Sequence, residues 1–147
     1  MDTSAVFAGI WSAAGASRMI LRLAEAGVVI LVIGPRVRAE LQAAFTRKAP
    51  GLLAELALVL DCCRPEMANA GDGEVERNLN ELVGHPGDAA VLAEAWSAGA
   101  DYFATLDRSH ILDNPRLRAA APFPVGTPGD CLAWLREGLL AQFQEDE

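Results

Sequence analysis

The sequence predicts an α/β domain built on a central parallel sheet with helices over both faces, and three short apolar runs predict it. Val28 to Ile33 is six residues long, five of them β-branched, and lies between Gly27 and Pro35. Tyr102 to Leu106 and Pro122 to Val125 are further runs of this kind. Strands buried on both faces read as continuous apolar runs rather than alternating ones. The segments between them carry apolar residues at helical spacing, and helices alternating with buried strands imply parallel pairing.

The elements follow in chain order. Ile20, Leu23 and Ala24 share one helical face, with Arg18, Arg22 and Glu25 opposite, as in a half-buried helix. Beyond the first strand, Pro35 opens a helix on which Val37, Leu41, Ala44 and Phe45 form the inner stripe. Leu52, Leu53, Leu56 and Leu60 mark a helix that ends near Cys63 and Pro65. Pro65 to Gly73 reads as loop with room for a short strand, and a helix through Val75, Leu79 and Leu82 follows. Gly84-His85-Pro86-Gly87 breaks the chain; Asp88 then begins a helix with Val91, Leu92, Ala95 and Trp96 inward, until Gly99 stops it. Asp101 and Asp113 suit turns. Asp130 suits the N-cap of a last helix striped by Leu132, Leu135, Leu139 and Phe143. Residues 1–144 read as a single domain and 145–147 as an acidic, disordered tail.

With 52% hydrophobic and 22% charged residues the chain can bury a core, which excludes a disordered protein. No apolar run approaches the length of a bilayer span and no signal peptide is recognisable, so a cytoplasmic protein is expected. Cys62, Cys63 and Cys131 are an odd set without a Cys-x-x-Cys pair, which argues against a disulfide framework. His85 and His110 lie far apart without cysteine company, which argues against zinc. The net charge of −8 excludes nucleic-acid binding by bulk attraction. Eleven of the twelve basic residues are arginine, the better bidentate phosphate ligand.

Four acidic residues are placed to carry chemistry at the carboxyl ends of the strands, where ligands collect in such sheets. Asp107 ends the Tyr102–Leu106 run, and Asp88 heads the helix before it. Glu40 lies one turn into the helix after Val28–Ile33, and Asp2 opens the chain. Each has a structural alternative: caps for Asp2 and Asp88, a solvated helix face for Glu40, a turn for Asp107. Carboxylates within about 4 Å repel by roughly 4 kcal/mol per pair at an effective dielectric of 20. A fold that gathers them needs a cation or must protonate some of them. Oxygen ligands alone would select Mg²⁺ or Mn²⁺.

At these residues the sequence resembles the PIN-domain family of metal-dependent nucleases, in particular the bacterial toxins of toxin–antitoxin pairs. The resemblance rests on Asp2-Thr3-Ser4, on Glu40 in Pro35–Leu41, on Asp88 before Ala89-Ala90-Val91, and on Thr105-Leu106-Asp107. Ala98–Thr105 and Pro122–Val125 fit as well. It implies a three-layer α/β/α fold and a ribonuclease that cleaves RNA with water activated by Mg²⁺ or Mn²⁺. Asp2, Glu40, Asp88 and Asp107 would be the catalytic metal ligands, with Ser4 and Thr105 in support. A homodimer and a blocking antitoxin protein are implied too. Arg108, beside Asp107, suits a phosphate contact or, equally, a solvated surface.

Two departures stand out. The family has an apolar strand before its first aspartate, whereas only Met1 precedes Asp2, so the first strand is expected to be shortened or missing. Either the start lies upstream, or the sheet is built differently. Where family members often carry another aspartate, this chain has His85-Pro86-Gly87. The alternative function is a degenerate domain that binds RNA or protein without cutting. A phosphotransferase or nucleotide-binding enzyme lacks its Gly-rich or Walker motif here. Trp11, Trp96 and Trp134 would suit base stacking, but Trp96 and Trp134 fall near apolar helix stripes and read as core packing; Cys62-Cys63 reads as buried bulk.

Overall fold

The computed structural model describes residues 1–145, and these form an α/β structure dominated by helix. Asp146 and Glu147, in the expected acidic tail, lie outside the described residues, while Glu145 is the last residue of the final helix.

Local chemistry explains most helix boundaries. Helix α1 (Thr3–Trp11) starts at Asp2, whose side chain accepts the Thr3 N–H. Helix α2 (Ala16–Glu25) buries Ile20, Leu21 and Ala24. Helix α3 (Pro35–Lys48) has proline at its first position, which costs nothing where no intrahelical acceptor exists, and it buries Val37, Leu41 and Phe45. Helix α4 (Leu53–Cys63), entered through a 3₁₀ turn at Pro50–Leu52, ends where Arg64 turns left-handed at φ 47°. Helix α5 (Gly73–Val83) is capped by the Asp72 carboxylate. Helix α6 (Pro86–Ser97) is capped by His85, whose side chain accepts the Asp88 N–H. Asp88 therefore stands inside the first turn and is not the cap that the sequence suggests. Helix α7 (Pro115–Ala120) is capped by Asn114.

Helix α8 (Pro128–Glu145) begins with a reciprocal box. Thr127 Oγ1 accepts the Asp130 N–H at 3.1 Å, and Asp130 Oδ2 accepts the Thr127 N–H at 2.9 Å. Thr127 is thus the cap and Asp130 its partner within the first turn. The outer half of the expected α8 stripe is bare: Leu139 is 45% and Phe143 71% exposed.

The strands depart most from expectation. Among the described residues there are two separate two-stranded parallel sheets, not one. Strand β1 (Val32–Ile33) pairs with β2 (Glu66–Met67), and β3 (Phe103–Ala104) pairs with β4 (Val125–Gly126). The Val28–Ile33 run joins a ladder only at its last two residues, and Ile30 is 73% exposed. Leu106 is likewise exposed, and the third ladder segment lies at Val125–Gly126, at the far end of the expected Pro122–Val125 run. A run becomes a buried strand only where neighbours exist on both edges, and Val28–Ile33 has a partner on one side only.

The main core runs from Val6 and Ile10 of α1 through Phe45 of α3 and Leu92 of α6 to Phe103 and Phe123. Burying one such side chain stabilises the fold by roughly 1.5–3 kcal/mol. No single helix among the described residues is long and apolar enough to cross a membrane. The three cysteines are free; Cys62 is exposed, and burial pushes the Cys63 thiol up to about 11, so that thiol is unreactive bulk. Trp134, expected in the core, is exposed, and so is Trp11.

One contact sets the approach of the β2–α5 loop to α6. A Cβ at Gly71 would lie 2.5 Å from Ala93 Cβ and 2.6 Å from the Ala93 carbonyl carbon, both in a buried stretch. Gly71→Ala is therefore expected to cost about 1–3 kcal/mol through overpacking, read by urea unfolding; an unchanged midpoint would show that the loop yields freely.

Candidate metal centre

The carboxyl end of β3 meets the start of α1 and the start of α6, and this junction assembles the site. The Asp2 N–H donates to the Ala104 carbonyl at 2.9 Å, tying the chain start to the edge of β3. Two hydroxyls then fix Asp2 against the loop after β3. Thr105, fully buried, donates to Asp2 Oδ2 at 2.7 Å and accepts the Asp107 N–H at 3.0 Å. Ser4 donates to the same oxygen at 3.1 Å and accepts the Leu106 N–H at 3.1 Å. Thr3 N–H occupies Asp2 Oδ1 at 2.7 Å, so Asp2 is a buried carboxylate with both oxygens engaged.

Asp107 caps a single π-helical turn, Arg108–Leu112, that brings His110 back over it. Oδ1 accepts the His110 N–H at 3.1 Å, and the ring Nδ1 lies 3.0 Å from Oδ2. The same Nδ1 is 3.1 Å from Asp88 Oδ2, so one imidazole N–H faces two carboxylates. His85 Nδ1 is 3.0 Å from Asp88 Oδ2, yet it accepts the Asp88 backbone N–H and has no proton to offer the carboxylate. The two imidazole rings stack at 4.9 Å. With the His110 proton taken by Asp107, Asp88 Oδ2 is a buried carboxylate oxygen without a hydrogen-bond donor.

The electrostatics follow. Burial pushes the Asp88 carboxyl above its ordinary range; the nearby Asp107 and Asp2 charges add to this, and His85 and His110 oppose it. Burial would raise Asp107 as well, but the backbone N–H and ring of His110 outweigh it and hold Asp107 below its ordinary value. The hydrogen bond to Asp107 in turn raises His110.

Asp88, Asp107 and His110 each offer one ligand atom, all within 4.8 Å of one another. The undonated Asp88 oxygen fits a cation there. Two carboxylates with one imidazole suit Mn²⁺ and admit Zn²⁺, whereas Mg²⁺ prefers oxygen alone.

Of the four acidic residues expected to act together, Asp88 and Asp107 converge and Asp2 stands beside them, linked through Thr105. Glu40 is outside the converging group. Its Oε2 accepts the Thr3 hydroxyl and its Oε1 the Arg36 Nε, each at 2.7 Å. Arg36 reaches on toward α6, where a Cβ at Gly87 would lie 2.9 Å from its guanidinium. Arg108 points elsewhere, its guanidinium 3.8 Å from Asp113.

Comparison with known proteins adds no family. No family model, no curated protein and no solved structure matches this chain.

The two histidines are legible in the sequence through one local signal. Asp107-x-x-His110 and His85-x-x-Asp88 share one three-residue spacing, which puts each pair on one face of a helical turn. Thr105→Val, which keeps the shape and removes the hydroxyl between Asp2 and Asp107, is expected to cost about 2 kcal/mol in urea unfolding. Ser4→Ala should cost less, because Thr105 still holds Asp2 at the shorter distance; equal losses would contradict this ranking.

Proposed function

We propose that this protein is a metal-dependent endoribonuclease of PIN-like design, hydrolysing RNA phosphodiester bonds as the toxin of a toxin–antitoxin pair. The observation that carries the reading is the buried, undonated Asp88 oxygen facing Asp107 and His110. Parallel strands joined through helices, with the acidic residues at the carboxyl end of β3, support a three-layer α/β/α architecture. Asp88, Asp107 and His110 would hold Mn²⁺, or Mg²⁺ with weaker use of the imidazole. When bound, such an ion lowers the pKa of water and offsets charge on a phosphodiester. Asp2, held by two hydroxyls and a backbone N–H, places a further carboxylate beside the ion. Arg36, half exposed on the rim, is free to leave Glu40 for a phosphate. Glu40 then becomes available as a further ligand. Trp134, Leu140 and Phe143 give a homodimer or an antitoxin an exposed apolar surface.

The test is cleavage of end-labelled, mixed-sequence single-stranded RNA with Mn²⁺, by the wild type and Asp107→Asn, beside the 2′-deoxy strand. Cleavage of RNA that falls at least about 100-fold in the variant supports the reading; metal-independent cleavage would reject it. The second reading, a domain that binds RNA or protein without cutting, is favoured by Glu40, both of whose oxygens are already engaged. Mn²⁺-dependent RNA binding without cleavage would select it.

A further inference from the structure

Four of the chain's twelve cations lie on one helix that leads away from the metal site. Helix α3 carries Arg36, Arg38, Arg47 and Lys48 beside a single carboxylate, Glu40, although the whole chain has a net charge of −8. Cations in the last turn of a helix complement its dipole, which would account for Arg47 and Lys48. The dipole disfavours Arg36 and Arg38, both in the first turn, so the excess has another cause. Glu40 is matched by Arg36, and among the described residues no carboxylate pairs with Arg38, Arg47 or Lys48.

Helix α1, which has no charged residue, packs along α3 and runs in the same direction. The order of contacts shows this. Thr3 donates to Glu40 at 2.7 Å, close to the site. One turn further along α1, Phe7 meets Phe45 with 4.5 Å between ring centroids, and Lys48 Nζ lies 6.0 Å from the Phe7 centroid. Thr3, Phe7 and Trp11 recur at every fourth position and share one face of α1, as Arg36, Glu40 and Lys48 share one face of α3. Phe7 and Trp11 stack, with 5.8 Å between centroids and 15° between planes. Such a pair in a core would be ordinary packing, but Trp11 is 59% exposed and Phe7 is half-buried. The seam between the helices therefore starts beside Asp2 and ends on an open aromatic face with Lys48 over it. From Glu40 to Lys48 it covers about 12 Å.

We infer that the α1–α3 seam is a binding track for the single-stranded RNA that flanks the scissile phosphate. A base stacks on Trp11, and Lys48 and Arg47 hold phosphates. Resting on the ribonuclease reading, such a track explains how an acidic protein grips a polyanion. Without bulk attraction, affinity has to come from a few placed cations and from stacking, which any base can supply. A duplex hides its base faces, so the track favours single strands.

The experiment measures binding of a fluorescein-labelled, mixed-sequence single-stranded RNA of about 12 nucleotides to the full chain by anisotropy in EDTA, and cleavage of the same strand with Mn²⁺. Saturable metal-free binding is expected, with the logarithm of affinity falling linearly with that of salt concentration. Trp11→Leu should weaken it at least about fivefold, and Lys48→Ala should lower the salt slope by about 0.7. Both positions are exposed, so neither change threatens the fold. Arg136→Ala, which removes an exposed cation from α8, should alter neither quantity. The duplex should bind at least about fivefold more weakly than the single strand. With Mn²⁺, Trp11→Leu should raise KM and leave kcat unchanged. Absence of metal-free binding, or binding that both seam variants leave intact, overturns the track; Mn²⁺-dependent cleavage would then still uphold the nuclease. Loss of affinity in both variants without any cleavage would reject the nuclease and leave an RNA-binding track. Polyglutamate that binds as tightly as RNA, and is lost in Lys48→Ala, would assign the seam to an acidic polypeptide instead.

Discussion

Asp107→Asn is expected to weaken Mn²⁺ binding, measured by calorimetry, at least about 100-fold, while the metal-free protein stays folded. Loss of a residue that only orients a ligand costs roughly 10–100-fold in affinity, and Asp107 is both a candidate ligand and the group that holds the His110 ring. Asp88→Asn should weaken binding comparably but act oppositely on the metal-free protein. The wild-type Asp88 oxygen is buried without a donor, a defect that typically costs about 1–3 kcal/mol. An amide in that place has no charge to desolvate and no longer repels Asp107 and Asp2, so the variant should be more stable by about 1 kcal/mol. This pairing of lost metal affinity with gained stability separates a functional carboxylate from a structural one. If Asp88→Asn destabilises the metal-free protein and leaves Mn²⁺ binding intact, Asp88 is a folding residue and the proposed site is wrong.

The same contrast shows what a sequence carries and what it omits. The helices were legible because their determinants are local: Val37, Leu41 and Phe45 recur on one face of α3, and Asp72 and Asn114 stand one residue before helices they cap. Local pattern misleads wherever a residue's state depends on something distant. Val28–Ile33 has the composition of an inner strand, but an inner strand needs neighbours on both edges, and among the described residues β1 pairs only with β2. Asp88 looked like a cap because a helix starts near it; the proline at 86 moves the start forward and passes the role to His85. Thr105 and Ser4 were anticipated beside Asp2 and Asp107, and their hydroxyls do link the two. His110 has no cysteine nearby to mark it as a ligand, but the π-turn after Asp107 brings its ring back over that carboxylate. Glu40 illustrates the converse, since correct spacing places it on the rim but does not reveal that Arg36 and Thr3 occupy its oxygens.

His110 leads to the other large effect, a steep dependence of metal affinity on pH. Its imidazolium stands where the proposed ion would share the Asp88 and Asp107 oxygens, so proton and ion compete. The hydrogen bond to Asp107 raises the folded-state pKa of His110 above its ordinary 6.5. A raised basic group stabilises the fold fully below the unfolded value, and that contribution disappears as pH rises through the folded one. In the metal-free protein, then, the share of stability owed to His110 is complete in mild acid and absent in mild alkali. Metal binding should run the other way. Below the folded pKa each ion displaces one proton, so Mn²⁺ affinity rises about tenfold per pH unit, and it levels off above that pKa. Calorimetry between about pH 5.5 and 8, in buffers of differing ionisation enthalpy, measures both the slope and the proton released. His110→Ala should bind more weakly at high pH and lose most of the slope. A wild-type affinity that does not change across that range would mean that the ion, if it binds, binds away from His110, and the Asp88–Asp107–His110 assignment would fall with it.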